Sequence, residues 1–482
     1  MIMEKNVKLI FEKGFPEFSC NFVPKMDIQG EDLSKILPNE MLRSEIDLPD
    51  IPEFEIVRHF VNLSEKNHSL DRSIYPLGSC TMKYNPRINE VIARLSGFTL
   101  IHPLQEENEG ALELMHNLGS SLCEICGMDA FTMVPSAGAH GELTGILIMK
   151  KYFETKGIKK DKIIVPDSAH GTNPASSAMA GFSIIELKSN EQGEIPLEEL
   201  EFAMKEGDVA GLMLTNPNTL GIFDRNITKI TEIVHKYGGL CYYDGANLNP
   251  IMGIVRPGDM GFDIIHVNLH KTFSTPHGGG GPGAGPVGVK EFLAPHLPFP
   301  QIVKEESGFV CIDDNEASVG RIRSFWGNFG VLIKAYSYIR ALGADGLRHA
   351  AEMAVLNANY LRSQLQPLYE VPYNSAGRFN MHEFVIDAHL PNGVNAEDVA
   401  KALLDRNLYA PTIYFPLIVH QAMMVEPTET ESKRELDRFI EALKEIYHLA
   451  ESNPEELKTA PHRTPVGRLD NTLAARKPIL KE

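Results

Sequence analysis

The chain has 482 residues, enough for two or three domains of roughly 100–200 residues each. Hydrophobic residues make up 43% and charged residues 23%, an ordinary globular balance that leaves no case for wholesale disorder. The formal net charge of −18 disfavours nucleic acid as a partner, and no apolar run nears the roughly 18 residues of a membrane span.

The opening Met-Ile-Met-Glu-Lys lacks a basic stretch followed by an apolar core, so a cytoplasmic protein is expected. Residues 1–129 read as an irregular arm with short helices. They contain the loop Tyr75-Pro-Leu-Gly-Ser-Cys-Thr-Met-Lys-Tyr-Asn-Pro86. Six cysteines (Cys20, Cys80, Cys123, Cys126, Cys241 and Cys311) are too sparse for a disulfide framework and are expected to be reduced. Cys123-Glu-Ile-Cys126 has redox or zinc spacing. It falls late in a helical stretch, however, where no helix dipole assists a thiolate, and no second such pair completes a zinc site. Buried thiols are expected there, and no bound metal.

Residues 130–327 alternate apolar, β-prone runs with amphipathic stretches. The runs cover 130–134, 162–165, 182–185, 211–215, 240–244 and 263–267, with helices expected at 143–155 and 227–237. This order predicts an α/β domain with a large, mostly parallel sheet, in which ligands sit at the carboxyl ends of the strands. Residues 328–450 predict a smaller α+β domain, with helical stretches at 329–342, 346–366, 396–405 and 432–449 and a strand at 379–386. An extended basic tail is expected at 451–482. From Lys458 onward it carries six basic residues (Lys458, Arg463, Arg468, Arg476, Lys477, Lys481) against Asp470 and Glu482. Either a solvated terminus or a strap over an acidic partner accounts for it.

The chemistry concentrates at strand ends. Asn268-Leu-His-Lys271-Thr-Phe follows one apolar run, and Tyr242-Tyr-Asp244-Gly-Ala-Asn247 ends another. A lysine withdrawn from water can hold an aldehyde, and a buried carboxylate facing a pyridine nitrogen keeps it protonated. Taken alone Lys271 would be read as a surface lysine. Together with Asp244 it points to pyridoxal 5′-phosphate bound as a Schiff base, with Gly245 and Ala246 leaving room for a flat ring. Ser136, Ala137 and Gly138 lie where a strand meets a helix and are expected to cradle the phosphate. His170, in Asp167-Ser-Ala-His-Gly-Thr-Asn-Pro174, is placed to stack on the ring, and Asn216 to hydrogen-bond its hydroxyl. His270, beside the lysine, is counted among the cofactor contacts. Gly283-Ala-Gly-Pro-Val-Gly288 fits a dinucleotide pattern, but Pro286 interrupts it and Val287-Gly-Val289 continues as a strand, so it is read as a turn.

These segments, with His277-Gly-Gly-Gly-Gly-Pro-Gly283 and Val425-Glu-Pro-Thr-Glu-Thr-Glu-Ser432, together resemble the glycine decarboxylase P-protein of the glycine cleavage system. That family belongs to the fold-type I pyridoxal phosphate enzymes. The length and the lysine resemble the β chain of the split, two-subunit form. The resemblance implies glycine dehydrogenase subunit 1 (the α chain) as partner, in an α2β2 heterotetramer. It also implies glycine as substrate and the lipoyl arm of H-protein as acceptor of the aminomethyl group once CO2 has left. Carried over by position, it makes Lys271 and His170 catalytic and Asp244 the pyridinium partner. Cys80 and its loop either border the channel for the arm or buttress a domain interface. Rival readings are an aminotransferase, a cysteine desulfurase or a non-catalytic scaffold. A desulfurase needs a cysteine on a mobile small-domain loop, and a scaffold has no need of Lys271, Asp244 and His170 together.

Overall fold

The computed structural model describes residues 8–13, 27, 28, 30–43, 49–102, 105, 108–278, 283–373 and 378–479. Cys20 and residues 279–282 of the glycine-rich turn lie outside the described residues. Two compact units are present, Met1–Arg72 with Arg463–Glu482, and Ser73–His462.

In the first unit a helix spans Glu53–Ser64, and acids at Glu53 and Glu55 suit its positive N-terminal end. Phe54, Val57, Phe60 and Val61 on this helix are all more than half exposed. In the tail, Asp470 caps a short helix, Asn471–Arg476, by accepting from the Leu473 amide at 2.8 Å.

The second unit is built on seven strands: β1 (Ala130–Thr132), β2 (Lys162–Pro166), β3 (Ser183–Leu187), β4 (Val209–Leu214), β5 (Leu240–Gly245), β6 (Ile264–Val267) and β7 (Val287–Val289). Their order in the sheet is β1-β7-β6-β5-β4-β2-β3. The pairs from β3 across to β6 are parallel, and β7 runs antiparallel to both β6 and β1. β4, β5 and β6 are buried along their whole length, which is why they read as near-continuous apolar runs. Helices cover both faces. Cys241 and Tyr243 join the core on one face, and Tyr242 and Ile264 join the core on the other, beside the helix Gly138–Thr155.

Four sequence expectations change. The helix Glu109–Cys126, expected in the arm, packs into the main core through Leu112, Met115, Leu118, Leu122 and Cys126, an apolar face at helical spacing. Residues 451–462 are not extended. One helix continues to Ser452 and another spans Pro454–Thr459, with Leu457 and Ala460 in the small-domain core. A hairpin of β8 (Gln301–Glu305) and β9 (Gly308–Ile312) was not foreseen, because Lys304 and Glu305 break the apolar alternation. The strand expected at 379–386 forms only as β10 (Phe384–Asp387), because the residues before it dock elsewhere. Met381 N bonds Gly221 O at 2.7 Å, and Asn380 Nδ2 bonds Leu220 O at 2.9 Å.

The long helix Phe329–Leu365 breaks at Gly343, whose φ of 63° and ψ of −173° no helix accommodates. Beyond it, β10 joins β11 (Thr412–Ile413) and β12 (Ala422–Val425) in an antiparallel sheet ordered β10-β12-β11. The helices Ala396–Leu404 and Lys433–Ser452 bury Val399, Leu403, Phe439 and Leu443 in the core of this small domain. Among the described residues no helix is long and apolar enough to cross a membrane.

Gly221 lies where the two domains meet, at φ +71°, and a Cβ there would collide with the Glu383 carbonyl. Gly221→Ala is therefore expected to destabilise the protein by more than about 1 kcal/mol, read as a lowered midpoint in thermal unfolding.

Candidate active site

β6 ends at Val267, and a one-turn helix, Leu269–Thr272, carries Lys271 immediately beyond it. Neighbouring β5 ends in Asp244 and Gly245, whose register partners are His266 and Val267. A side chain at Gly245 would strike the His266 carbonyl, so only glycine lets the strands pair this closely beside the acid. Asp244 Oδ1 accepts the Ala246 amide at 2.9 Å. Burial pushes the Asp244 carboxyl up, but His266, the Ala246 amide and Lys271 outweigh it and hold it below its ordinary value.

The other expected residues surround this pair. His170 lies between β2 and the helix Thr172–Met179, with Nδ1 3.3 Å from Thr172 Oγ1 and its ring 5.4 Å from that of Phe415. Burial, then the charge of Lys271, lowers its pKa and keeps the ring neutral. Asn216 follows β4. Its Oδ1 accepts the Asp224 amide at 2.8 Å, and its buried Nδ2 has no hydrogen-bond partner among the described residues. Ser136 and Ala137 lead into the helix Gly138–Thr155, whose first amides have no acceptor within the helix. A Cβ at Gly138 would meet the amide group of Asn268, whose buried Oδ1 has no partner among the described residues. His270 accepts the Ala284 amide on Nδ1 at 3.4 Å, and burial, Lys271 and His277 bring its pKa to about 3.

The loop 75–86 closes over the lysine. Lys271 Nζ donates to the Ser79 carbonyl at 2.7 Å. Ser79 and Thr81 have positive φ, 61° and 50°, and both are anchored by buried acids of the small domain. The Ser79 amide donates to Glu383 at 2.8 Å, and the Thr81 amide and hydroxyl donate to Glu426 at 2.9 and 2.6 Å. Asn247, just past β5, donates to Glu383 at 3.1 Å. Burial raises both acids, and the charge of each neighbouring carboxylate adds to it. Further along, Lys83 pairs with Glu429 at 2.7 Å in nearly complete burial. Of the two sequence readings of this loop, the domain-interface buttress describes these bonds. Cys80 sits in the loop with its thiol pushed up to about 11 by burial, despite nearby Lys271.

The sequence reading missed Glu383, Glu426, Glu142, His266 and Tyr242. A histidine inside the apolar run Asp263-Ile-Ile-His-Val267 was the one local signal for His266. Glu383 and Glu426 stand in short-range contexts that look like ordinary strand ends, and only long-range contacts give them meaning. The Cys123 and Cys126 thiols are both raised by burial, as the reading of inert helical thiols requires.

A large parallel sheet with a lysine and an acid at its carboxyl edge, closed by a small antiparallel domain, defines a fold-type I enzyme. Solved structures with this architecture include a glycine decarboxylase (P-protein) of the glycine cleavage system in inhibitor-bound form. Its TM-score is 0.70 at 22% identity, over 86% of this chain and 94% of that one. A cysteine desulfurase from Thermococcus onnurineus has a TM-score of 0.62 at 15% identity, over 78% of this chain and 95% of that one. The family model for the glycine cleavage system P-protein matches residues 26–303, and that for the glycine dehydrogenase C-terminal domain matches 350–462. A protein of Caldanaerobacter subterraneus named probable glycine dehydrogenase (decarboxylating) subunit 2 is 56% identical, across 100% of this chain and 99% of its own. A protein of the same name from Kosmotoga olearia is 57% identical over 98% of both. The chain belongs to the glycine cleavage system P-protein family.

Glu142, on the helix beside Asp244, accepts from Thr172 at 3.0 Å and from Ser176 at 3.3 Å. Burial, then the Asp244 charge, lifts its pKa from 4.5 to about 8. The folded state thus favours the protonated acid. Its contribution is fully present below pH 4.5 and is lost as pH rises through about 8. Glu142→Gln, which cannot titrate, is expected to flatten the decline of the unfolding midpoint across that window.

Proposed function

We propose that the chain is the lysine-bearing subunit of a glycine decarboxylase that works with pyridoxal phosphate. The observation carrying this reading is the juxtaposition, on adjacent strand ends, of Lys271 with a buried, ionised Asp244. The remaining residues fit the group. The orphan Asn216 Nδ2 is a donor for the ring hydroxyl, neutral His170 offers a face for stacking, and Ala246 leaves room at the ring. Ser136, Ala137 and Gly138 open an 18-residue helix whose amides and dipole favour a phosphate, with His270 near the same edge. Lys271 would hold the aldehyde carbon, and Asp244 the proton on the pyridine nitrogen. Bound there, the cofactor supplies a sink for the electron pair left when the carboxylate of glycine departs as CO2.

The chain's own groups prepare the site for that step. The Ser79 carbonyl orients the free Lys271 amine, and the anchors Glu383 and Glu426 hold that carbonyl in place. The aminomethyl carbon would then bond one sulfur of the lipoyl disulfide of H-protein, and the second sulfur leaves as a thiol. A desulfurase reading is weaker, since no cysteine falls within residues 328–450 and the Cys80 thiol stays protonated. The subunit 2 names of the relatives and the exposed apolar side of the helix Glu53–Ser64 support a partner chain. We take that partner to be subunit 1, in an α2β2 enzyme of the cytoplasm, with the exposed tail residues Arg476 and Lys477 offered to an acidic surface.

The test is an absorbance titration with pyridoxal phosphate in the presence of subunit 1, followed by exchange of labelled CO2 into glycine. Wild type is expected to gain a visible band that Lys271→Ala lacks, with exchange at background in the variant. Asp244→Asn should retain the band and lower exchange by about 10²–10³-fold, the scale of one lost electrostatic partner. A wild-type chain with no lysine-dependent band sinks the cofactor assignment.

A further inference from the structure

Tyr242 and His266 are wholly buried, and the catalytic reading above uses neither. Tyr242 and Asp244 lie two residues apart on β5 and so share one face of the sheet. Strand register sets His266 of β6 opposite Asp244 on the same face. The Tyr242 hydroxyl is 2.7 Å from His266 Nδ1, and His266 Nε2 is 3.4 Å from Asp244 Oδ1. Nε2 has no hydrogen-bond partner of good geometry among the described residues. Three polar side chains thus run in file toward the place where a ring nitrogen would meet the acid.

The covering helix is shaped to seat them. A Cβ at Gly145 would strike the ring of Tyr242, and one at Gly141 would meet the Gly285 carbonyl oxygen at 2.6 Å and His266 Cβ at 2.9 Å. Glycine inside a helix costs about 0.5–1 kcal/mol relative to alanine, yet this helix carries two of them one turn apart. The two glycines let the helix lie close over Tyr242 and His266.

The hydrogen-bond direction follows from chemistry. Burial holds the tyrosine as a phenol and the imidazole as a neutral ring. A phenol donating to Nδ1 leaves the proton on Nε2, facing the carboxylate. The opposite tautomer would aim a lone pair at a negative charge. The other groups facing Asp244 are the Ala246 amide, Lys271 and His170, which favour its charge, and Glu142, which opposes it. Of the side chains, His266 alone is fixed opposite the acid by strand pairing.

We propose that His266, held in one tautomer by Tyr242, is a positioning residue that keeps Asp244 ionised and aimed, so that the cofactor's ring nitrogen stays protonated. This rests on the pyridoxal phosphate reading given above. The experiment loads the full chain, with subunit 1, with pyridoxal phosphate carrying ¹⁵N in the ring, and follows that nitrogen by NMR across mildly acidic to mildly alkaline pH. Wild type is expected to show a protonated nitrogen throughout. His266→Phe and Tyr242→Phe should let it deprotonate toward the alkaline end, and raise the cofactor dissociation constant about tenfold, as loss of an orienting partner commonly does. His266→Gln, whose amide N–H can face Asp244, should restore both readouts toward wild type. A merely structural role would not make the nitrogen titrate. If His266→Phe does not fold, Tyr242→Phe, which removes a single oxygen, carries the test. Both phenylalanine variants, or Tyr242→Phe alone in that case, holding a protonated nitrogen at wild-type affinity overturn the inference. A wild-type chain that binds no labelled cofactor overturns the cofactor reading and the inference with it.

Discussion

The parallel pairing of β5 with β6 is the constraint on which the site depends. It sets Asp244 against His266 and brings the turn bearing Lys271 out beside the acid, with Gly245 permitting the close approach. A slip of one residue would turn Asp244 to the opposite face and away from the helix Gly138–Thr155. Burial of both strands on both faces makes such a slip prohibitive, because every apolar side chain would change sides with it.

Charge in this water-poor space is balanced by distribution. Lys271 lies among Asp244, Glu142, Glu383 and Glu426, and four acids cannot all ionise beside one amine. Hydrogen bonding and neighbouring histidines hold Asp244 charged. Burial pushes Glu142, Glu383 and Glu426 toward the neutral form, helped by the charge of Asp244 on Glu142, of Glu426 on Glu383 and of Glu429 on Glu426. The division follows position: the acid at the strand end is supported by an amide and an imidazole, and each of the others lies near another carboxylate.

The small domain acts on the site through a loop. Glu383 and Glu426 sit on or beside the strands β10 and β12, yet their hydrogen bonds go to Ser79 and Thr81, more than three hundred residues earlier. Ser79 in turn presents its carbonyl to the lysine. The small domain, the loop 75–86 and the end of β6 therefore form one hydrogen-bonded path. Glu383, just before β10, joins this path, and Lys83 with Glu429 closes its far end.

Sequence alone determined the parts of this protein that depend on local pattern. Continuous apolar runs marked β2, β4, β5 and β6 because strands buried on both faces need no polar alternation, and the interruption between the helical stretches 329–342 and 346–366 was legible, where the structure breaks the helix at Gly343. Lys271, Asp244, His170 and Asn216 were legible because each follows such a run, at the sheet edge where ligands bind. Tertiary structure decided the rest. It moved the helix Glu109–Cys126 from the arm into the main core and folded residues 451–462 onto the small domain, since an apolar face does not say which surface will cover it. It also gave roles to Glu383, Glu426, Glu142 and His266. A carboxylate or imidazole acquires its charge state from groups distant in the chain, and only folding brings those groups within reach.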